Sequence, residues 1–245
     1  MADYDNRVRS YGAADIAAVD EGLRAYMLRV YNYMLVGLAF TGFAAWFTAN
    51  TPAFAQLFFR VTAGGYTLSP LGWVVLFAPL GLVFFLSWRV QRMSFSAAQA
   101  TFWVFAGLMG IGLTPVLLLY TGASVAEVFF ITAATFGAMS LWGYTTKRDL
   151  SGFGSFLFMG LIGIIIASLV NMFLQSSMMQ WVISVIGVLI FTGLTAYDTQ
   201  SIKESYYVGD DGSVAGKKAV MGALRLYLDF INLFLMLLRL MGDRR

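Results

Sequence analysis

The chain contains no cysteine and no histidine. Those absences exclude disulfides, thiol nucleophiles, imidazole acid–base chemistry and the usual zinc sites. Charge is also scarce. Only 12% of the 245 residues are charged, where a soluble domain has about one quarter. What fills the chain instead is apolar: 59% of residues are hydrophobic, and the mean hydropathy is +0.74. The apolar stretches are spread too evenly for a soluble domain with one anchor, so an all-α polytopic membrane protein is expected. The net charge of +3 is not a nucleic-acid signal, because the basic residues flank apolar segments, where lipid orientation accounts for them.

Residues 1–25 carry Asp3, Asp5, Arg7, Arg9, Asp15, Asp20, Glu21 and Arg24 without an apolar run. A secretory signal needs a basic start and an apolar core, so this segment reads as a polar tail. Residues 26–241 form one membrane domain, followed by a short tail at 242–245. Crossing the ~30 Å of hydrocarbon takes about 20 mostly apolar residues in a helix. Seven stretches meet that test: 28–49, 70–90, 98–120, 124–144, 153–174, 178–200 and 219–240. Each contains glycine, which suits close helix packing in lipid. Pro79 and Pro115 fall inside the second and third spans, where they free carbonyls that the bundle must satisfy. The connections at 121–123 and 175–177 are too short for a domain, and 50–69 and 201–218 read as loops.

With the N-terminus inside, eleven of the sixteen lysines and arginines fall in inner segments and four in outer ones, and Arg225 lies within the seventh span. The excess predicts a cytoplasmic N-terminus and an outer C-terminus. Arg239, Arg244 and Arg245 dissent, which leaves open a seventh segment that re-enters rather than crosses.

Two acids stand out against this background, Asp198 in the sixth span and Asp229 in the seventh. An ionisable group at the centre of a span costs about 2.5–3.5 kcal/mol on insertion scales, so it persists only when paired or useful. Counted from Ala219, Asp229 lies ~15 Å along its helix, whereas Asp198 is close to the polar run beginning at Ser201. Arg225 precedes Asp229 by four positions, the weaker order for a same-face pair, and leaves Asp198 unexplained. If the two carboxyls meet, they cannot both ionise cheaply, while a nearby arginine favours the charged forms. That balance supplies a pH switch without histidine.

Several stretches together resemble the Bax inhibitor-1 family, in its bacterial form: Thr114-Pro115, Tyr120-Thr121-Gly122-Ala123-Ser124, Phe129 through Gly137, and Gly143 through Ser151. Ala196-Tyr197-Asp198-Thr199-Gln200 and Leu226 through Phe234 complete the set. The resemblance runs from about Leu28 to Met241. It implies six helices around a central seventh, and a pH-dependent cation leak with calcium as the transported ion. It also implies that Asp198 and Asp229 act as the proton sensor. A latch arginine at the inner end of the second span is implied too. Counting back from Gly110 and Pro115 puts it at Arg92, with Arg89, one turn earlier, as second choice.

Other polar residues carry plainer readings. Arg89 and Arg92 sit where arginines snorkel at the inner face. Glu127 opens the fourth span as an acid near a helix N-terminus or as a cation-attracting mouth. Asn171 and Asn232 suit interhelical hydrogen bonds within a polar network, and Asn232, three residues from Asp229, shares its face and is a candidate for lining a pore. Asp149 suits a cap for the helix beginning near Gly152. The expected function is a calcium or cation leak in the bacterial inner membrane, without enzyme activity or cofactor, and with the bilayer and cations as partners. A proton-coupled transporter is the nearest rival. A non-transporting regulatory protein is another. An intramembrane aspartyl protease fits poorly, because Leu226-Tyr227-Leu228-Asp229 replaces the expected Gly-x-Gly-Asp.

Overall fold

The computed structural model describes the backbone of residues 2–62 and 65–245, and the side chains of 20–60 and 67–245. The helices are α1 (Ala2–Asn50), α2 (Pro52–Phe58), α3 (Pro70–Arg89), α4 (Phe95–Leu119), α5 (Gly122–Thr145), α6 (Ser151–Leu174), α7 (Ser177–Glu204) and α8 (Gly212–Met241). Among the described residues, seven helical segments are long and apolar enough to cross a membrane; these are Asp20–Asn50 of α1, α3 with the short 3-10 turn Val90–Arg92, and α4 to α8. The all-α membrane architecture expected from the apolar runs is therefore present.

Short polar residues set the helix starts. The side chains of Ser69, Ser94, Thr121, Ser176 and Asp211 accept hydrogen bonds from the backbone N–H groups of Gly72, Ala97, Ser124, Met179 and Val214. Each satisfies a donor that the helix itself cannot. At α6 the flanking residue is Leu150, and the Asp149 carboxylate accepts from the Ser151 N–H at 2.8 Å instead. Hydrogen bonds from the Ser151 hydroxyl and N–H hold the Asp149 carboxyl below its usual range.

The 50–69 connection differs from the open loop expected. After α2 the chain forms an antiparallel hairpin, β1 (Phe59–Thr62) with β2 (Gly65–Leu68), in register Phe59 to Leu68 and Arg60 to Thr67. Ser69 ties its base to α3: its N–H donates to the Phe58 carbonyl at 2.9 Å and its hydroxyl to that of Leu57 at 2.5 Å.

α8 is the central helix. Two thirds of its membrane window (67%) is buried, against 11% for α6. It packs chiefly against α1, α4, α5 and α7, while α3 joins the bundle mainly through α4 and α6 mainly through α7. The ring of six expected around a seventh thus resolves into four close neighbours and two outer helices. Glycine permits the closest approaches. A Cβ on Gly143 would collide with the Ala196 carbonyl, so α5 and α7 meet backbone to backbone; Gly110 does the same for α4 against Thr41 of α1.

α8 also runs the full length of the bundle. Its end docks on the α4–α5 connection: Thr121 N–H donates to the Asp243 carbonyl, Arg245 N–H to that of Leu119, and Asp243 N–H to the Ser124 hydroxyl, each at 3.0 Å. The seventh segment does not fold back, and the C-terminus lies at the opposite end from the α5–α6 connection.

Candidate functional site

The site grows out of the α7–α8 contact. α7 contributes Asp198, half-buried, from its last two turns, and α8 contributes Asp229, only 4% exposed, from its middle. The two carboxyls lie within hydrogen-bonding reach of each other. Ionised carboxylate oxygens only accept, and with both groups ionised the buried Asp229 Oδ2 has no partner. One proton shared between them removes that conflict. Arg225 is the cation whose charge acts on both carboxyls, yet it forms no ion pair within 4 Å among the described residues.

The other sequence candidates fall elsewhere. Arg89 ends α3 and Arg92 ends the turn after it; both are exposed, and neither reaches the pair. α3 packs mainly on α4 and only marginally on α7 and α8. Asn232 is half-buried and its amide donates to the Leu228 carbonyl of its own helix at 2.8 Å. Asn171 closes the end of α6: its side chain accepts from the Ser176 N–H at 3.0 Å beside Gln175, whose φ of 51° is left-handed. That is a local turn device at the far end of the bundle. Glu127 is exposed beyond the first turn of α5.

The structure adds residues that the sequence reading passed over. A run of hydroxyls flanks the pair: Tyr31 lies 2.6 Å from Ser140, Ser140 lies 2.9 Å from Thr199, and Thr199 donates to the Thr195 carbonyl at 2.7 Å. Because Thr199 has spent its proton, Ser140 donates to it and Tyr31 donates to Ser140. This chain links α1, α5 and α7 one residue from Asp198. On the other side of Asp229, the Tyr227 hydroxyl donates to Thr41 at 2.7 Å, and Thr41 donates to the Ala106 carbonyl at 2.9 Å. The Tyr227 ring lies edge-on to Phe102 and Phe105. The base of α7 is pinned as well. The Gln200 amide accepts from Leu150 N–H at 2.9 Å and donates to the Arg148 carbonyl at 2.8 Å. Lys203 donates to the Tyr144 carbonyl at 2.8 Å, at the C-terminal end of α5, where the helix dipole favours a cation. The available signal was the Thr195/Thr199 spacing of four, which puts two hydroxyls on one face of an apolar span.

Among the described residues, no group of three or more acids could hold a metal ion, so the site is a two-carboxyl one. A family model described as "Inhibitor of apoptosis-promoting Bax1" matches residues 23–245. The chain belongs to that family. Among its relatives, an uncharacterised protein of Rickettsia prowazekii is 50% identical over 226 residues, covering 92% of each chain. The Escherichia coli K12 inner membrane protein YbhL is 49% identical over 228 residues, 91% of this chain and 94% of its own. A protein of Caulobacter vibrioides is 47% identical over 230 residues, 93% and 92% respectively. This Bax inhibitor-1 family member is an integral membrane protein of seven apolar helices, with a half-buried acid on the sixth and a buried one on the seventh.

Proposed function

We propose that this protein is a pH-gated cation leak of the bacterial inner membrane, with calcium as its ion, a cytoplasmic N-terminus, and no enzymatic step. The observation that carries the reading is the Asp198–Asp229 pair: two carboxyls on adjacent helices, within hydrogen-bonding reach, in an apolar bundle. One shared proton joins α7 to α8. Removing it sets two negative charges face to face, and adding a second discharges the pair and removes its longer-range attraction for Arg225. Either event changes the free energy of the α7–α8 contact by an amount set by pH, which is what a proton-operated gate needs. The YbhL name supports the membrane assignment.

The test is calcium entry into liposomes carrying the purified protein across a pH series. Asp198→Asn and Asp229→Asn should each move the pH midpoint, non-additively, because groups that share a proton titrate as a unit. The double variant should conduct almost independently of pH. A double variant with the parent profile places the sensor elsewhere. Uptake that saturates with substrate, in place of a leak linear in driving force, identifies a proton-coupled transporter built on the same pair.

A further inference from the structure

A cavity of about 370 Å³ opens between the ends of α3, α7 and α8, on the side away from the C-terminus. Ser87, Gln91, Ser201, Lys217, Lys218 and Arg225 line it, together with apolar neighbours, and no carboxylate is part of its wall. Lys218, Gly222 and Arg225 are spaced four and three apart, so they share one face of α8. Lys217 and Arg225 are separated by ~12 Å of helix, so the positive charge runs from the mouth of the cavity to its depth.

The three cations are not equally committed. Lys218 is engaged, with the Asp210 carboxylate at 2.5 Å and the Ser205 carbonyl at 2.9 Å. Lys217 has one long contact, 3.3 Å to the Gln91 carbonyl. Arg225 is exposed to the cavity and has no hydrogen-bond or ion-pair partner among the described residues. Arg225 and Lys217 thus bring two positive charges to a wall that holds no carboxylate of its own. Arg225 belongs to a membrane-spanning helix, so this cavity is where its guanidinium can meet a ligand with lone pairs.

We propose that this cavity is a binding site for a phosphate group, with Arg225 as its bidentate anchor and Lys217 as the second cation. The planar guanidinium fork matches two phosphate oxygens, an ammonium adds a point charge, and Ser201 adds a hydroxyl donor. The phosphate belongs either to an anionic lipid headgroup at the membrane face or to a free anion from the aqueous side. The donor set is the same for both. The site is defined by its own residues and stands whether or not the protein conducts cations.

Thermal unfolding of the whole chain in a neutral detergent reads binding directly, with inorganic phosphate titrated against chloride at matched ionic strength. Phosphate should stabilise the parent saturably. Arg225→Gln should weaken the apparent affinity at least about tenfold, Arg225→Lys less, and Lys217→Gln by an intermediate amount, because a charge-assisted pair of bonds is lost, halved or left without its neighbour. Arg60→Gln, which removes one charge from the hairpin at the other end, should leave it unchanged. Phosphatidylglycerol that displaces phosphate, where phosphatidylcholine does not, identifies the lipid as the source; displacement by neither identifies the free anion. No stabilisation by either probe, or equal affinity in Arg225→Gln, Lys217→Gln and the parent, overturns the proposal. Should Arg225→Gln fail to fold, Lys217→Gln, at the mouth of the cavity, decides it alone.

Discussion

Asp229 sits in the middle of an apolar span, where a carboxylate is too costly to be incidental, and the neighbouring acid across the α7–α8 contact is Asp198. Which arginine accompanies them was not legible, because that depends on how far α3 stands from α8, and no residue spacing within α3 encodes it. Here Arg225 acts on the pair while Arg92 lies exposed on the turn after α3. If the leak is gated by the pair, Arg225→Gln should displace the pH midpoint of calcium flux more than Arg92→Ala does, measured in the same liposomes. A larger effect from Arg92→Ala returns the latch to Arg92, in a second arrangement of α3. The Tyr31–Ser140–Thr199 chain was illegible for a related reason. A lone serine or tyrosine in an apolar span costs little and so leaves no mark, and its partner is 59 or 109 residues away.

At the level of elements, long apolar runs located all seven spans, because hydrocarbon thickness imposes a length that periodicity alone does not. The ends were less visible. α8 begins at Gly212, seven residues before its apolar run, because Asp211 caps it there. The hairpin at 59–68 was missed since four-residue strands are too short to show an alternation. Packing order is governed by small residues, which allows a sharp test. Gly143 has the Ala196 backbone where a side chain would go, whereas Gly137, on the same helix, has open space. Gly143→Leu should therefore push α5 from α7 and destabilise the protein by about 1–3 kcal/mol or more. Gly137→Ala should be neutral or slightly stabilising, up to ~1 kcal/mol, through helix propensity. Thermal unfolding in detergent compares the two. Equal effects show that α5 and α7 do not meet at Gly143.

For the whole molecule, the decisive fact is that an odd number of spans separates the two ends of the bundle. The tail after α8 is bonded to the α4–α5 connection, and the α5–α6 connection, held by Gln200 and Lys203, lies at the other end. Whatever orientation the chain takes in a membrane, those two places are on opposite sides. The distribution of charge then selects between the two orientations. Eleven basic residues lie at the end that carries Lys147, Arg148 and Lys203, against four at the end of Arg60, Arg244 and Arg245, and basic loops stay cytoplasmic. Arg244 is partly absorbed by the fold, since its guanidinium stacks 6.0 Å from the centre of the Tyr120 ring. The C-terminal arginines therefore weigh less than their number suggests. A reporter fused after Ser151 should accordingly read as cytoplasmic, and one fused after Arg245 as external. Finding both on the same side would contradict the crossing of α8, and finding both reversed would place the basic cavity and the inner ends of α3, α7 and α8 outside the cell.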